Sequence, residues 1–150
     1  MTNQDLDQLY ASVEIGKTPV VISEHVEFVN KKKRDSDRNT ALKLVDTWRR
    51  DLESRDAVRL MSNYSSSFKS ERGDSLASWS SKQRQLLTGA RRVSIKLRDV
   101  SFFLYPGRDD LMVGTFTADA KIDRSRNSAR KRQYWAKEGA LWKIISESSL

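Results

Sequence analysis

Val93-Ser94-Ile95-Lys96-Leu97-Arg98-Asp99-Val100-Ser101-Phe102-Phe103-Leu104 changes its apolar phase partway along. Val93, Ile95 and Leu97 alternate with polar residues, the period-two pattern of a half-buried strand. From Val100 onward the apolar residues fall on even positions, at Phe102 and Leu104. A one-residue slip would turn every later side chain to the wrong face, so this reading requires a β-bulge near Arg98-Asp99.

Downstream the same logic continues. Pro106-Gly107 with Asp109-Asp110 makes a turn. Leu111 to Ile122 reads as a second long strand, with Met112, Phe116, Ala118, Ala120 and Ile122 on one face. Arg124-Ser125-Arg126-Asn127-Ser128 reads as a loop and Arg130 to Lys137 as a third strand. Glu138-Gly139 is a hairpin turn and Ala140 to Glu147 the closing strand.

Upstream, helical spacing dominates. Leu42, Val45, Trp48 and Leu52 share one face of a helix from Asn39 to Ser54. Asp56 caps a short helix carrying Val58, Leu60 and Met61. The serine-rich Tyr64-Ser65-Ser66-Ser67-Phe68 reads as a turn anchored by its two aromatics. Asp74 or Ser75 opens a third helix, with Leu76, Trp79, Leu86 and Leu87 inward and Gly89 at its end. Helices first and a long, bent antiparallel sheet afterwards make an α+β fold, a curved sheet wrapped around helices as a cone with one open end.

The first thirty residues follow a different plan. Thr2 and Asp5 form a capping box for a helix with Leu6, Leu9, Tyr10 and Val13 at helical spacing, and Gly16 is placed to end it. Pro19 leads into Val20-Val21-Ile22, read as a buried strand, and His25 to Val29 as a second extended stretch. One helix and one or two strands cannot enclose a core, so this segment must dock elsewhere. Lys31-Lys32-Lys33-Arg34-Asp35-Ser36-Asp37-Arg38 separates the parts as a solvated linker, or alternatively as a basic recognition patch. The expected organisation is a docking segment at 1–30, a charged linker at 31–38 and the folded domain at 39–150.

Composition limits the chemistry. Of the 150 residues, 37% are hydrophobic and 32% charged, a folding rather than a disordered mixture. With no cysteine, disulfides, zinc–thiolate sites and thiol catalysis are excluded, and a single histidine, His25, cannot supply a histidine-rich metal site. No cofactor and no metal site are expected. No apolar run reaches the ~20 residues a membrane span needs, and no secretory signal pattern opens the chain. Twenty-eight basic against twenty acidic residues give +8, which favours an anionic partner.

From Asn39 to Glu147 the chain resembles the nuclear transport factor 2-like (NTF2-like, SnoaL-like) domains attached to bacterial L,D-transpeptidases. The resemblance rests on Trp48, the Tyr64-Ser65-x-x-Phe68 corner, Trp79 with Lys82, and Trp142-Lys143-Ile144 ahead of Glu147. The strand Phe116-Thr117-Ala118-Asp119-Ala120 departs from it, where a bulkier aromatic pattern would be expected. Thr2-Asn3-x-Asp5-Leu6, Leu9-Tyr10, Val13, Gly16 and Thr18-Pro19-Val20-Val21-Ile22 resemble the end of an L,D-transpeptidase (YkuD-type) catalytic domain, just past its Ser-His-Gly-Cys motif.

That resemblance implies an accessory domain of a peptidoglycan cell-wall protein, periplasmic if its parent is exported. The nucleophilic cysteine of such a parent is missing here, so the chain alone is not expected to catalyse transpeptidation. His25 falls outside the motif and is assigned a structural or surface role. Implied partners are peptidoglycan or a cell-wall protein, with a homodimer through the sheet also possible. The alternative is a stand-alone NTF2-like small-molecule-binding or dimerisation domain.

Two residue sets are candidates for binding. Trp48, Tyr64, Phe68, Trp79, Trp135 and Trp142 could line a pocket in the cone, or simply form its core. Tyr134 and Trp135, adjacent on a strand, must face opposite sides. Arg124, Arg126, Arg130, Lys131 and Arg132 could meet anionic groups such as stem-peptide carboxylates, or form a solvated edge. An isomerase- or cyclase-like enzyme would need an acid in the cone, and Asp46 and Asp119 are the acids placed nearest. Specific nucleic-acid binding is not expected, because the basic positions are dispersed and no recognition motif is present.

Overall fold

A computed structural model describes residues 2–15, 18, 20–24 and 28–150. Among the described residues, four helices and five strands follow in the order α1 (Asn3–Ser12), α2 (Lys31–Ser54), α3 (Ala57–Met61), β1 (Tyr64–Ser70), α4 (Leu76–Gly89), β2 (Val93–Leu104), β3 (Leu111–Ile122), β4 (Ser125–Glu138) and β5 (Leu141–Ser149). The strands form one curved mixed sheet ordered β1-β5-β4-β3-β2. β1 runs parallel to β5 and every other pair is antiparallel. The α+β architecture expected from the sequence is present, with helices packed against a curved sheet.

The expected bulge is present. The β2–β3 register breaks between Arg98 and Ser101, and Asp99 takes a left-handed φ of 51°. The break keeps Val93, Ile95 and Leu97 on the same face as Phe102 and Leu104, which is why the apolar phase slips in the sequence. Across from Phe102, Gly114 leaves room for the ring: a Cβ there would lie 2.8 Å from it.

Several elements differ from expectation. The charged run 31–38 is no linker but the first two turns of α2. The Asn30 side chain accepts the Lys33 amide at 2.9 Å, and Lys33 pairs with Asp37 one turn on. The run contains no glycine or proline, so nothing stops the helix from extending over solvated charge. Tyr64–Phe68 is not a turn but part of edge strand β1; pairing beside β5 overrides serine's weak strand preference and points Tyr64 and Phe68 inward. Arg124–Ser128 is not a loop either: β4 starts at Ser125 after the turn Asp123-Arg124, whose Asp123 carboxylate accepts the Arg91 and Arg92 amides. Leu86 is exposed, because the helical phase that buries Leu87 turns its neighbour to solvent.

The N-terminal arm is the largest departure. The capping box at Thr2 forms as expected, but α1 ends at Ser12 and buries no residue. Val20-Val21-Ile22 is not a buried strand: it pairs with no strand among the described residues, and Val20 and Ile22 are 81% and 98% exposed. Gly16, Pro19, His25, Val26 and Glu27 lie outside the described residues. No described helix is long and apolar enough to cross a membrane.

The core lies between the helices and the concave face of the sheet. Trp135, Phe116 and Ile144 from the sheet meet Val45 and Trp48 of α2, Leu60 of α3 and Leu87 of α4, all buried. Trp48 packs on Phe116 with ring centroids 5.5 Å apart, and Phe68 stands edge-on to Tyr64 at 5.0 Å. Burying each such aromatic stabilises the fold by ~1.5–3 kcal/mol. Polar ties fix the helices: Glu53 of α2 accepts the Ile95 amide at 2.7 Å, and buried Asp51 accepts from Asn63 at 2.8 Å.

Candidate functional site

One end of the cone opens into a cleft of about 250 Å³. Its apolar floor is Leu104 at the end of β2, Met112 at the start of β3 and Trp142 at the start of β5. Thr40 and the Lys33–Asp37 pair of α2 form one wall; Asp109 and Lys137 stand on the sheet side. Neither Asp109 nor Lys137 makes an ion pair among the described residues. An aromatic floor flanked by a free carboxylate and a free ammonium can hold a small ligand carrying both charges.

Deeper in, the strand alternation places polar residues where the core should be. Gln133 and Glu147 are opposed on β4 and β5, and both are buried on the concave face. Glu147 Oε2 accepts from Tyr64 Oη at 3.0 Å and Gln133 Nε2 at 2.9 Å, while its Oε1 pairs with Lys131 Nζ at 2.6 Å. Trp48 Nε1 donates to Tyr64 Oη at 3.0 Å. Burial, reinforced by the Glu147 charge, pushes the Tyr64 phenol well above its usual range. Tyr64 therefore stays protonated and donates at any ordinary pH. The cluster knits α2, β1, β4 and β5 together and leaves Glu147 no free face for acid–base work.

The aromatic candidates thus divide. Trp48, Tyr64, Phe68 and Trp135 are buried in the core, and Trp79 is partly buried on α4 against Phe68 at 5.6 Å. Only Trp142 lines the cleft. Trp135 points into the cone and is fully buried; Tyr134, its neighbour, lies half-buried on the convex face.

The basic candidates divide as well. Arg126, Arg130 and Arg132 lie on the convex face, Arg124 sits in the β3–β4 turn, and Lys131 points inward to Glu147. Asp46 and Asp119 are not in the cone, contrary to their expected placement. Asp46 lies on the outer side of α2, paired with Arg49 and Arg50, and Asp119 lies on the convex face, paired with Arg98 at 2.5 Å. The acid buried on the concave face of the sheet is Glu147. Its sequence signal was available: Lys131, Gln133 and Glu147 are polar residues on the inward phase of two strands otherwise marked by Trp135 and Ile144. Among the described residues, no group of three or more acids or histidines is placed to hold a metal.

Residues 40–148 match the family described as the Cds6 C-terminal NTF2-like domain. Among solved structures, Bd1075 of Bdellovibrio bacteriovorus superposes with a TM-score of 0.84 at 24% identity, over 100% of this chain and 55% of its own. The helical cell shape determining protein Pgp2 of Campylobacter jejuni superposes at 0.75 and 18% identity, over 99% of this chain and 51% of its own. An NTF2-like protein of Pseudomonas putida KT2440 superposes at 0.65 and 10% identity, covering 77% of this chain and 86% of its own. At these identities the likeness is one of fold. The chain spans about half the length of Bd1075 and Pgp2. No curated protein matches it.

Proposed function

The chain belongs to the family of Cds6 C-terminal NTF2-like domains, and from that premise we propose that it is the non-catalytic accessory domain of a peptidoglycan L,D-transpeptidase-type cell-wall protein. In this reading the Trp142 cleft binds peptidoglycan, and the arm before α2 belongs to the core of an adjoining catalytic domain. The arm is the observation that carries it. Leu9, Tyr10, Ile15, Val20, Ile22 and Phe28 all remain exposed, a density of apolar surface that a self-sufficient domain does not leave in water. The full-length match to about half of Pgp2, a cell-shape protein, supports the same assignment. Peptidoglycan stems carry both amines and carboxylates, which suits a cleft that presents both Lys137 and Asp109 beside an apolar floor.

Two measurements test the proposal. The 150-residue chain should be retained on purified peptidoglycan, and Trp142→Ala should reduce retention at least about fivefold, the order expected when an aromatic anchor is lost. Equal retention of the two proteins would remove the cleft from the reading; no retention of either would remove direct binding altogether. Deleting residues 1–29 should leave the thermal midpoint of the remaining domain within about 2 °C of the whole chain, because α1 buries nothing against it. A fall of 5 °C or more, on the order of 1 kcal/mol for this size, would mean that the arm belongs to this domain's own core.

A further inference from the structure

The convex face of the sheet carries a basic field. Strand alternation places Lys96 and Arg98 of β2, Lys121 of β3, and Arg126, Arg130 and Arg132 of β4 on this one face. Two carboxylates lie among them. Asp119 is held by Arg98 at 2.5 Å and by Ser128 at 2.7 Å, which keeps it ionised far into acid; Asp99 sits at the bulge, 3.8 Å from Arg98. Six cations against two acids leave a surplus of four, half of the chain's +8. Lys96, Lys121, Arg126 and Arg132 make no ion pair among the described residues.

The register makes this arrangement costly for the fold alone. Lys121 and Arg126 are directly opposed across β3 and β4, both exposed, and like charges so placed repel. Electrostatic repulsion of this kind is relieved when an anionic surface supplies the counter-charge.

We propose that the convex face docks on an anionic phospholipid surface, independently of what the cleft binds. Its form selects this partner. The cations spread over three strands and about 20 Å along β4. A partner must therefore be broad and densely charged, and must tolerate any lateral spacing, as mobile lipid headgroups do. Among the described residues the aromatic rings on this face, Phe103 and Tyr134, lie half-buried beyond Arg132 and not between the six cations, and no helix or ribbon projects from the field to enter a nucleic-acid groove.

Co-sedimentation of the whole chain with vesicles tests the proposal. Binding is expected to vesicles containing phosphatidylglycerol and not to those of phosphatidylcholine alone, and to weaken with added salt. Lys121→Glu with Arg126→Glu should lower binding at least about tenfold, since each basic residue near an anionic leaflet contributes separately. Lys96→Glu, on another strand, should lower it in the same direction, while Trp142→Ala should leave it unchanged. Circular dichroism checks that each variant folds. The proposal is overturned if phosphatidylglycerol vesicles are not bound at about 0.1 M salt, if the Lys121/Arg126 variant binds as well as the parent, or if a short DNA or RNA duplex binds more tightly than the vesicles.

Discussion

Glu147→Ala is expected to destabilise the domain by about 3–5 kcal/mol, the cost of breaking a buried ion pair from one side. That is a large part of the ~5–15 kcal/mol that holds a domain of this size together. Three donors converge on this carboxylate: Lys131, Gln133 and Tyr64. They would not suffer equally. The Lys131 side chain is 20% exposed and can swing its ammonium toward water. Gln133 and Tyr64 are buried and, among the described residues, donate to Glu147, and each orphaned donor costs about 1–3 kcal/mol. Glu147→Gln should fall between the parent and the alanine variant, because the amide oxygen still accepts one of these bonds. Pairing Glu147→Leu with Lys131→Met should recover only a small part of the loss, since the Lys131 ammonium already reaches water while the Tyr64 and Gln133 donors are still orphaned. Urea midpoints of the four proteins decide the matter. A Glu147→Ala unfolding free energy, from midpoint and slope, within about 0.5 kcal/mol of the parent would mean that the carboxylate is not the hub of this cluster.

The sequence reveals the sheet better than it reveals the site. Period-two alternation, the phase slip at Arg98-Asp99 and the turn at Pro106-Gly107 are local signals that survive into the fold; the hairpin turn expected at Glu138-Gly139 falls one residue later, at Gly139-Ala140, because Glu138 still pairs with Leu141. β1 was hidden because its strand character comes from a partner 80 residues away: Tyr64 pairs with Ile144, and nothing within Tyr64–Ser70 announces it. The start of α2 was hidden for the opposite reason. A charged run looks like linker when no apolar stripe marks it, yet Asn30 and the Lys33–Asp37 spacing are helix signals in their own right. The aromatic residues were visible as a set, but composition cannot separate core from cleft. That separation needs the register, which sends Trp135 to the centre and leaves Trp142 at the rim. The register likewise divides the arginine-rich stretch 124–132, turning Lys131 inward and its neighbours outward.

Trp135 provides the sharpest test of that division. Among the described residues it is the largest fully buried side chain, flanked across the sheet by Met112 and Ile144. Trp135→Ala should cost about 3–5 kcal/mol in transfer free energy and residual cavity. Trp135→Phe should cost far less than its lost volume implies. Its indole N–H has no hydrogen-bond partner among the described residues, so removing it returns the ~1–3 kcal/mol spent on burying a bare donor. The net loss should be about 1 kcal/mol or less. A Trp135→Phe variant as damaged as Trp135→Ala would mean that something in the folded protein accepts that hydrogen bond, and that the cone interior is wetter than the packing indicates. The same variant separates core from cleft in function. Trp135→Phe should bind peptidoglycan like the parent, whereas Trp142→Ala should not. Loss of binding in both would return Trp135 to the ligand surface and extend the cleft inward past Met112.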